Sequence, residues 1–148
     1  MFLIPFADVQ KEIMLKTPDR FRVILYRRMM MRIAEKLAIK ERCYGLITGD
    51  SIGQVASQTL ENILAVSEAT NLPIFRPLIG MDKEEIMQKA RVIGTYDISI
   101  LPHDDCCTRL MPKKPETRAK LLEILEVEKE LDIEKLIQET LSKIEILK

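Results

Sequence analysis

The side chains with the greatest chemical reactivity in the sequence are two adjacent cysteines, Cys106 and Cys107. Nearby positive charge favours the nucleophilic thiolate, and three basic residues follow the pair closely, whereas two aspartates precede it and oppose ionisation. Consecutive Cα atoms lie about 3.8 Å apart, which is less than the roughly 4.4 Å that an ordinary disulfide needs. We therefore expect free thiols, and the residues alone leave a reactive thiol and an inert pair open.

A metal site is a further use that cysteines can have. Zinc takes about four ligands, and beyond the pair the sequence offers only Cys43 and His103 as further cysteine or histidine ligands. Cys43 begins a run of strand-forming residues, a position that is typical of a small core residue. We expect no metal site and a buried Cys43.

A polar turn with two glycines, residues 48–54 (TGDSIGQ), follows a strand-like run and precedes a helical pattern. In open α/β sheets, ligands bind at the carboxyl ends of strands, and the start of a helix attracts anions. Gln54, Ser57 and Gln58 follow at helical spacing and could present amides and a hydroxyl along one face. The residues alone leave a nucleotide-binding turn and an ordinary glycine turn open.

Three cations could meet a phosphate. Arg27 and Arg28 occupy adjacent helical positions that diverge by about 100°, so one of them can reach a site while the other stays in solvent. Lys83 begins a predicted helix, where a cation is disfavoured by the helix dipole unless an anion compensates it. A phosphate would serve as that anion, and so would Asp82 or Glu84.

The elements that must position these residues alternate between strands and helices. The hydrophobic periods predict strands over residues 3–6, 43–48 and 74–78, and helices over residues 8–15, 19–39, 54–70 and 83–93. We expect Asp8 and Asp19 to mark the starts of the first two helices, with Asp8 as an N-cap. Alternation of this kind favours a parallel sheet with helices on both faces.

The rest of the chain divides into a loop and two helices. Gly94 ends the preceding helix, as C-terminal glycines often do. Residues 95–115 contain three prolines and the cysteine pair without a sustained period, which is typical of a functional loop. Residues 116–130 and 132–147 are predicted to form two charged amphipathic helices.

The composition limits the class of protein. The chain has 148 residues, of which 47% are hydrophobic and 31% charged, with 23 basic and 23 acidic side chains. This length supports a single core, and no apolar run approaches the roughly eighteen residues that cross a bilayer. We expect a soluble, cytoplasmic protein that does not interact with membranes.

Five short strings along the chain, taken together, carry a resemblance to a known family. They are residues 27–34 (RRMMMRIA), 48–60 (TGDSIGQVASQTL), 76–83 (RPLIGMDK), 94–96 (GTY) and 104–108 (DDCCT). The family that they resemble is that of the ThiI-type tRNA 4-thiouridine synthetases, which also supply sulfur for the thiazole of thiamine. The likeness covers almost the whole chain and weakens after about residue 118, and the second string is quite specific.

The resemblance implies an α/β fold with a Rossmann-like parallel sheet and flanking helices, of the adenine nucleotide α-hydrolase type and incomplete, followed by two C-terminal helices. It divides the chain into residues 1–115, the C-terminal part of the ATP-pyrophosphatase (PP-loop) domain, and residues 116–148, a helical extension packing on it. Enzymes of this kind adenylate uridine 8 of tRNA with ATP. They then replace the activated oxygen with sulfur from a cysteine persulfide.

The resemblance also implies roles for particular residues. Lys83 matches a lysine needed for activation, and Cys106 matches the cysteine that exchanges sulfur with the persulfide, with Cys107 beside it. The nucleotide-binding candidates are Arg27, Gly49, Gly53, Gln54 and Gln58. The implied cofactor is ATP, with magnesium in the complete enzyme, and the implied partners are tRNA and a cysteine desulfurase as sulfur donor.

The sequence departs from the family in what it lacks. It contains no pyrophosphatase loop of the form SGGxDS, no ferredoxin-like or THUMP region for tRNA and no rhodanese region. We therefore expect the chain to be incomplete alone and to pair with a missing N-terminal half or with further copies of itself, residues 3–6 pairing outside their own subunit. A nucleotide-binding regulatory module and a persulfide sulfur carrier remain as alternatives.

Overall fold

The chain is described by a computed structural model that covers residues 1–102, 112 and 114–147. The predicted sulfur-transfer residues Cys106 and Cys107 lie outside the described residues, as does His103. The helices described are α1 Ala7–Lys16, α2 Arg22–Lys40, α3 Leu60–Ser67, α4 Lys83–Val92, α5 Tyr96–Ser99, α6 Leu121–Glu128 and α7 Ile133–Ser142. The strands described are β1 Phe2–Leu3, β2 Leu46–Ile47, β3 Ile74–Phe75 and β4 Glu145–Ile146.

Helix α2 lies at the centre of the core, because α1, α3 and α7 all pack against it. Its apolar residues recur at three- and four-residue spacing and face several neighbours. Leu25, Tyr26 and Met29 are fully buried on this helix, and each such side chain contributes roughly 1.5–3 kcal/mol through burial. The long central helix was predicted correctly, and it carries the candidate residue Arg27.

Strands β2 and β3 form a parallel pair in which Leu46 lies opposite Ile74 and Ile47 opposite Phe75. The parallel arrangement agrees with the sequence prediction, although both strands are shorter than predicted. Their carboxyl ends lie at the same edge, so the segments that follow them can meet there. The candidate residues of the glycine turn follow β2 directly.

Strands β1 and β4 form a separate antiparallel pair, with Phe2 opposite Ile146 and Leu3 opposite Glu145. The expectation that the N-terminal strand pairs outside its own subunit is wrong, because the C-terminal segment of the same chain occupies that edge. Backbone bonds of 2.9 Å between Met1 and Leu147, one in each direction, extend the pairing.

Three predicted helices differ from the observed ones by more than three residues at one end. Helix α6 begins at Leu121, five residues later than predicted. Helix α3 begins at Leu60, six residues later than predicted, because the Thr59 hydroxyl accepts a hydrogen bond from the Asn62 N–H and caps the helix there. Helix α7 begins after its cap Asp132 as predicted but ends at Ser142. The chain is then free to return as strand β4.

The starts of α1 and β2 also differ from prediction. Asp8 lies in the first turn of α1 without capping it, since Phe6 occupies the N-cap position. The Asp8 carboxylate instead accepts a hydrogen bond of 3.0 Å from Lys143.

Cys43 is exposed, not buried as predicted. It lies in a Schellman turn that ends α2, in which Arg42 takes a left-handed φ of 59° and the Cys43 N–H donates to the Ala38 carbonyl.

Helix α4, which begins with Lys83, was predicted to within one residue. Asp82 and Glu85 form a capping box, with bonds of 2.8 and 2.9 Å between each side chain and the other residue's N–H. Gly94 ends the helix with a left-handed φ of 75°. The position of Lys83 is therefore set by strong local signals.

The segment after the cysteine region is tied to the start of α3 by Asn62, which is 0% exposed. The Asn62 amide donates to the Glu116 carbonyl at 2.8 Å and accepts from the Ala119 N–H at 3.1 Å. The Thr59 hydroxyl donates to the Thr117 carbonyl at 2.7 Å. These bonds hold residues 116–119 against α3.

We expect Asn62→Ala to lower the free energy of unfolding by about 2–3 kcal/mol, because the buried Ala119 N–H and the partly buried Glu116 carbonyl lose their partner. Urea unfolding followed by circular dichroism measures the change. Asn71→Ala is the matched control, since the Asn71 side chain is exposed, and its effect should stay within about 0.5 kcal/mol. Equal effects of the two substitutions would contradict this account.

None of the helices within the described part of the chain combines the length and apolar character needed to cross a membrane.

Candidate functional site

The candidate site lies at the carboxyl ends of β2 and β3, where the segments following the two strands are joined. The Ser51 hydroxyl donates to the Met81 carbonyl at 2.7 Å, and the Ile52 N–H donates to the Ile79 carbonyl at 3.1 Å. Met81 lies two residues before Lys83. The bonds therefore bring the glycine turn and the start of α4 to the same edge of the sheet.

Asp50 is the centre of this edge and is only 4% exposed. Its carboxylate accepts hydrogen bonds from a guanidinium N–H of Arg27, from Arg76 Nε at 3.0 Å and from the Thr48 hydroxyl at 2.8 Å. Arg27 comes from α2, Thr48 from the end of β2 and Arg76 from the end of β3. One carboxylate thus connects three separate parts of the chain.

The charge of this cluster suits an anionic ligand. Burial alone would raise the pKa of the Asp50 carboxyl, but the hydrogen bonds from Thr48, Arg27 and Arg76 and the charge of Arg27 outweigh it and lower the pKa below its ordinary value. Asp50 is therefore ionised at neutral pH. Two guanidinium groups against one carboxylate leave a single positive charge, which can attract a phosphate.

The glycine turn closes onto a short 3-10 helix, Ala56–Gln58. The Ser51 N–H donates to Gln58 Oε1 at 3.3 Å, and the Gly53 N–H donates to the Gln58 carbonyl at 3.0 Å. Gly53 has a φ of 77°, a conformation that glycine adopts without strain. Arg27 also donates to the Ser57 carbonyl, at 3.4 Å. The turn and Arg27 therefore hold one another in place.

Gly49 and Gln54 lie on the outer side of the turn. Both are exposed, and a Cβ added at Gly49 would meet no atom within 4 Å. Glycine is therefore not required there by crowding from the described residues. Its effect is to leave the backbone open to close approach by a ligand.

The structure thus brings most of the predicted residues to one edge of the sheet. Arg27, Gly53 and Gln58 are directly hydrogen-bonded within the turn region, while Gly49 and Gln54 are exposed beside them. Lys83 is exposed at the start of α4. The sulfur-transfer candidates Cys106 and Cys107 lie outside the described residues.

Of the two adjacent arginines, Arg27 is the one that reaches the site. The expectation that the other stays in solvent is wrong, because Arg28 is 0% exposed. It leaves α2 in a different direction, and its guanidinium donates to both oxygens of Glu128 at 2.9 Å. A charge can be buried in this way because a partner carboxylate and further hydrogen bonds compensate it.

Sequence reasoning missed three residues of the site: Asp50, Ser51 and Arg76. A signal was present, since Asp50 and Ser51 directly follow a strand end and lie inside the most specific family string. Arg76 follows the next strand along the chain and begins another of those strings. Polar residues at adjacent parallel strand ends converge on one edge, and this rule could have placed Arg76 beside Asp50.

The chain belongs to the family of the thiamine biosynthesis protein ThiI, whose sequence profile matches residues 1–133. It is 54% identical over 147 residues to a probable tRNA sulfurtransferase of Thermus thermophilus, which covers 99% of this chain and 36% of the relative. A probable tRNA sulfurtransferase of Caldanaerobacter subterraneus is 51% identical over 137 residues, covering 93% of this chain and 36% of the relative.

A solved structure supports the fold. The crystal structure of a 4-thiouridine synthetase in complex with RNA and with bound ATP is similar to this chain with a TM-score of 0.91 and 41% identity. The match covers 99% of this chain and 39% of the other. The predicted fold class is therefore confirmed, and the chain spans little more than a third of the length of these relatives.

Proposed function

We propose that this chain contributes nucleotide contacts and sulfur transfer to an ATP-dependent tRNA sulfurtransferase that forms 4-thiouridine at position 8. The observation that carries the proposal is the cluster of Arg27, Asp50 and Arg76 beside an open glycine turn at the strand ends. This cluster belongs to a chain whose structural neighbour is a 4-thiouridine synthetase with bound ATP and RNA.

The described residues fit an adenine nucleotide. Arg27, the Gly49 backbone and Gln58 would contact it, Gly53 would shape the turn, and the exposed Gln54 could donate a further hydrogen bond. The net positive charge of the cluster supports this assignment. Asp50 does not fit a magnesium ion, because its oxygens already accept bonds from two arginines and Thr48. A magnesium ion that accompanies ATP would need other ligands.

In the proposed reaction, ATP adenylates the uridine oxygen and pyrophosphate leaves. Lys83 would offset the phosphate charge that develops in this step. The terminal sulfur of a persulfide on Cys106 then attacks the activated carbon, and AMP leaves with the original oxygen. The product sulfur is still bridged to Cys106, so a thiol must reduce that S–S bond to release thiouridine.

The proposal extends to partners. A cysteine desulfurase would load Cys106, and tRNA would bind mainly to the part of the enzyme that this chain does not cover. The persulfide could also serve thiamine thiazole synthesis, in keeping with the family description. We propose that the reaction takes place in the cytoplasm.

The exposed face of the parallel pair supports a physical partner for this chain. Ile47 and Phe75 are 75% and 60% exposed, whereas parallel sheets are normally covered on both faces. Two strands alone are also only marginally stable. We infer that a partner covers this face and adds further strands at the edge of the sheet, and that it is the rest of a sulfurtransferase or a second copy of the chain.

The proposed function can be tested in a chimera in which this chain replaces the matching 147-residue part of the Thermus thermophilus relative. With tRNA, ATP, cysteine, a desulfurase and a thiol, the chimera should form 4-thiouridine, measured by mass spectrometry of digested tRNA. Cys106→Ser should abolish the product. Cys107→Ser should only reduce it, since the proposed reaction passes the sulfur through Cys106.

A folded chimera that forms no thiouridine while the intact relative does would contradict the proposal. Product from the Cys106→Ser chimera would overturn the assignment of the cysteine. Sulfur uptake by the isolated chain without ATP, together with an inactive chimera, would favour a persulfide carrier instead.

A further inference from the structure

We propose that Asp50 is a positioning residue of the nucleotide site, which holds the guanidinium of Arg27 toward the ligand and is itself held by Arg76. This inference rests on the proposed function for the identity of the ligand. It adds two residues, Asp50 and Arg76, to the site candidates obtained from the sequence.

Arg27 needs such an anchor. Its side chain has several rotatable bonds and projects from α2, an element separate from the glycine turn that it must meet. Its bond to Asp50 is charge-assisted, whereas its other hydrogen bond within the described residues, to the Ser57 carbonyl, is long at 3.4 Å. Charge-assisted bonds are shorter and stronger than neutral ones. Asp50 therefore dominates the orientation of Arg27.

Asp50 can act as an anchor because it is fixed from the other side. Arg76 Nε donates to Asp50 at 3.0 Å, and Arg76 Nη2 donates to the Ser67 hydroxyl at 2.8 Å. That hydroxyl in turn donates to the Ile63 carbonyl at 2.6 Å within α3. Arg76 thus connects Asp50 to the body of the protein, while Thr48 holds the same carboxylate oxygen.

Ser51, the residue after Asp50, orients the Gln58 side chain through a hydrogen bond. The Ser51 N–H can only donate, so the Gln58 oxygen must face it and the Gln58 amide N–H groups are directed elsewhere. Asp50 and Ser51 therefore leave Arg27 and Gln58 presenting hydrogen-bond donors. Such a preorganised set suits the acceptor-rich phosphate and purine groups of a nucleotide, because less ordering is required on binding.

Nuclear magnetic resonance of the arginine Nε–H groups tests the positioning directly in this chain. In the unsubstituted protein, the Arg27 Nε–H chemical shift should differ from that of a solvated arginine, and its relaxation should be that of a rigid side chain. In Asp50→Asn the Arg27 side chain should become mobile, and its Nε–H chemical shift should move toward that of a solvated arginine. The Arg28 Nε–H signal is the internal control and should not move, because this N–H is bonded to Glu128 and not to Asp50.

AMP titration supplies the functional readout. Asp50→Asn should weaken AMP binding by about tenfold to a hundredfold, as expected for loss of a hydrogen bond to a charged group. Arg76→Lys keeps the charge but loses the guanidinium fork, and it should give a smaller loss together with partial mobility of Arg27. Asp97→Asn, an exposed aspartate in the first turn of α5, should change neither measurement.

The outcomes separate the two proposals. An Arg27 signal that stays rigid in both Asp50→Asn and Arg76→Lys would overturn the positioning role. If the unsubstituted chain binds no AMP, the nucleotide part of the proposed function fails, whereas the resonance data still decide whether Asp50 positions Arg27. Should Asp50→Asn fail to fold cooperatively, the milder Arg76→Lys variant decides in the same two measurements.

Discussion

Replacement of Glu128 by glutamine is expected to lower the free energy of unfolding by about 3 kcal/mol, the lower end for a broken buried ion pair. The buried Arg28 then keeps only Glu68, whose side chain is 44% exposed, as a carboxylate partner among the described residues. Glu128 ends α6 and is 5% exposed. Its carboxylate accepts two hydrogen bonds from Arg28 at 2.9 Å and two from Arg32 at 2.7 and 2.8 Å. Urea unfolding measures the loss.

A matched control lies on the same helix. Glu126 pairs with Lys129 at 2.6 Å, but both side chains are about two-thirds exposed, at 70% and 67%. Glu126→Gln should therefore change stability by less than about 1 kcal/mol. If Glu128→Gln and Glu126→Gln lower the free energy of unfolding by the same amount, the buried cluster is not the main connection between α6 and α2.

The difference in the free energy of unfolding between the native protein and Glu128→Gln should also depend on pH. Burial alone would raise the pKa of Glu128, but hydrogen bonds and charge from Arg32 and Arg28 outweigh it and lower the pKa below the ordinary value of 4.5. The ionised form is therefore favoured by folding, and its contribution is complete above pH 4.5 and lost as the pH falls through the folded value. The difference between native and Glu128→Gln protein should be constant near neutrality and should shrink below pH 4.5.

The same cluster shows what the sequence could and could not predict. Helix α2 was predictable because its apolar period is local, and α4 because Asp82, Glu85 and Gly94 mark its ends. The burial of Arg28 was not, because its partner Glu128 lies 100 residues away. Periodicity identifies Arg28 only as a charged residue, and such residues are usually exposed.

The candidate site likewise has features set by local sequence and features set by distant partners. The glycine turn and the start of α4 were predictable from local signals, and the resemblance to the family implied a common role for them. The role of Asp50 depends on Arg27 and Arg76, which lie 23 and 26 residues away in sequence. Strand β4 was missed for a related reason, since its pairing with β1 joins the two ends of the described chain.

Lys83→Ala is expected to reduce the rate of tRNA adenylation in the chimera by roughly a hundredfold to a thousandfold, the usual effect of removing one group that stabilises transition-state charge. Lys83 is the first residue of α4 and is exposed, two residues after the carbonyl that the glycine turn contacts. A lysine there can reach a ligand without breaking contacts within the protein. Pyrophosphate release in single-turnover reactions measures the rate.

The substitution should separate catalysis from stability and from binding. A lysine at a helix N-terminus opposes the helix dipole, so Lys83→Ala should leave the thermal midpoint unchanged or slightly raised. If Lys83 acts on charge that develops during the reaction, the rate constant should fall much more than the affinity for ATP. Lys89→Ala, near the other end of the same helix, is the control and should retain nearly full activity. A rate for Lys83→Ala within about threefold of the unsubstituted chimera, far short of the usual loss, would show that Lys83 has no part in activation.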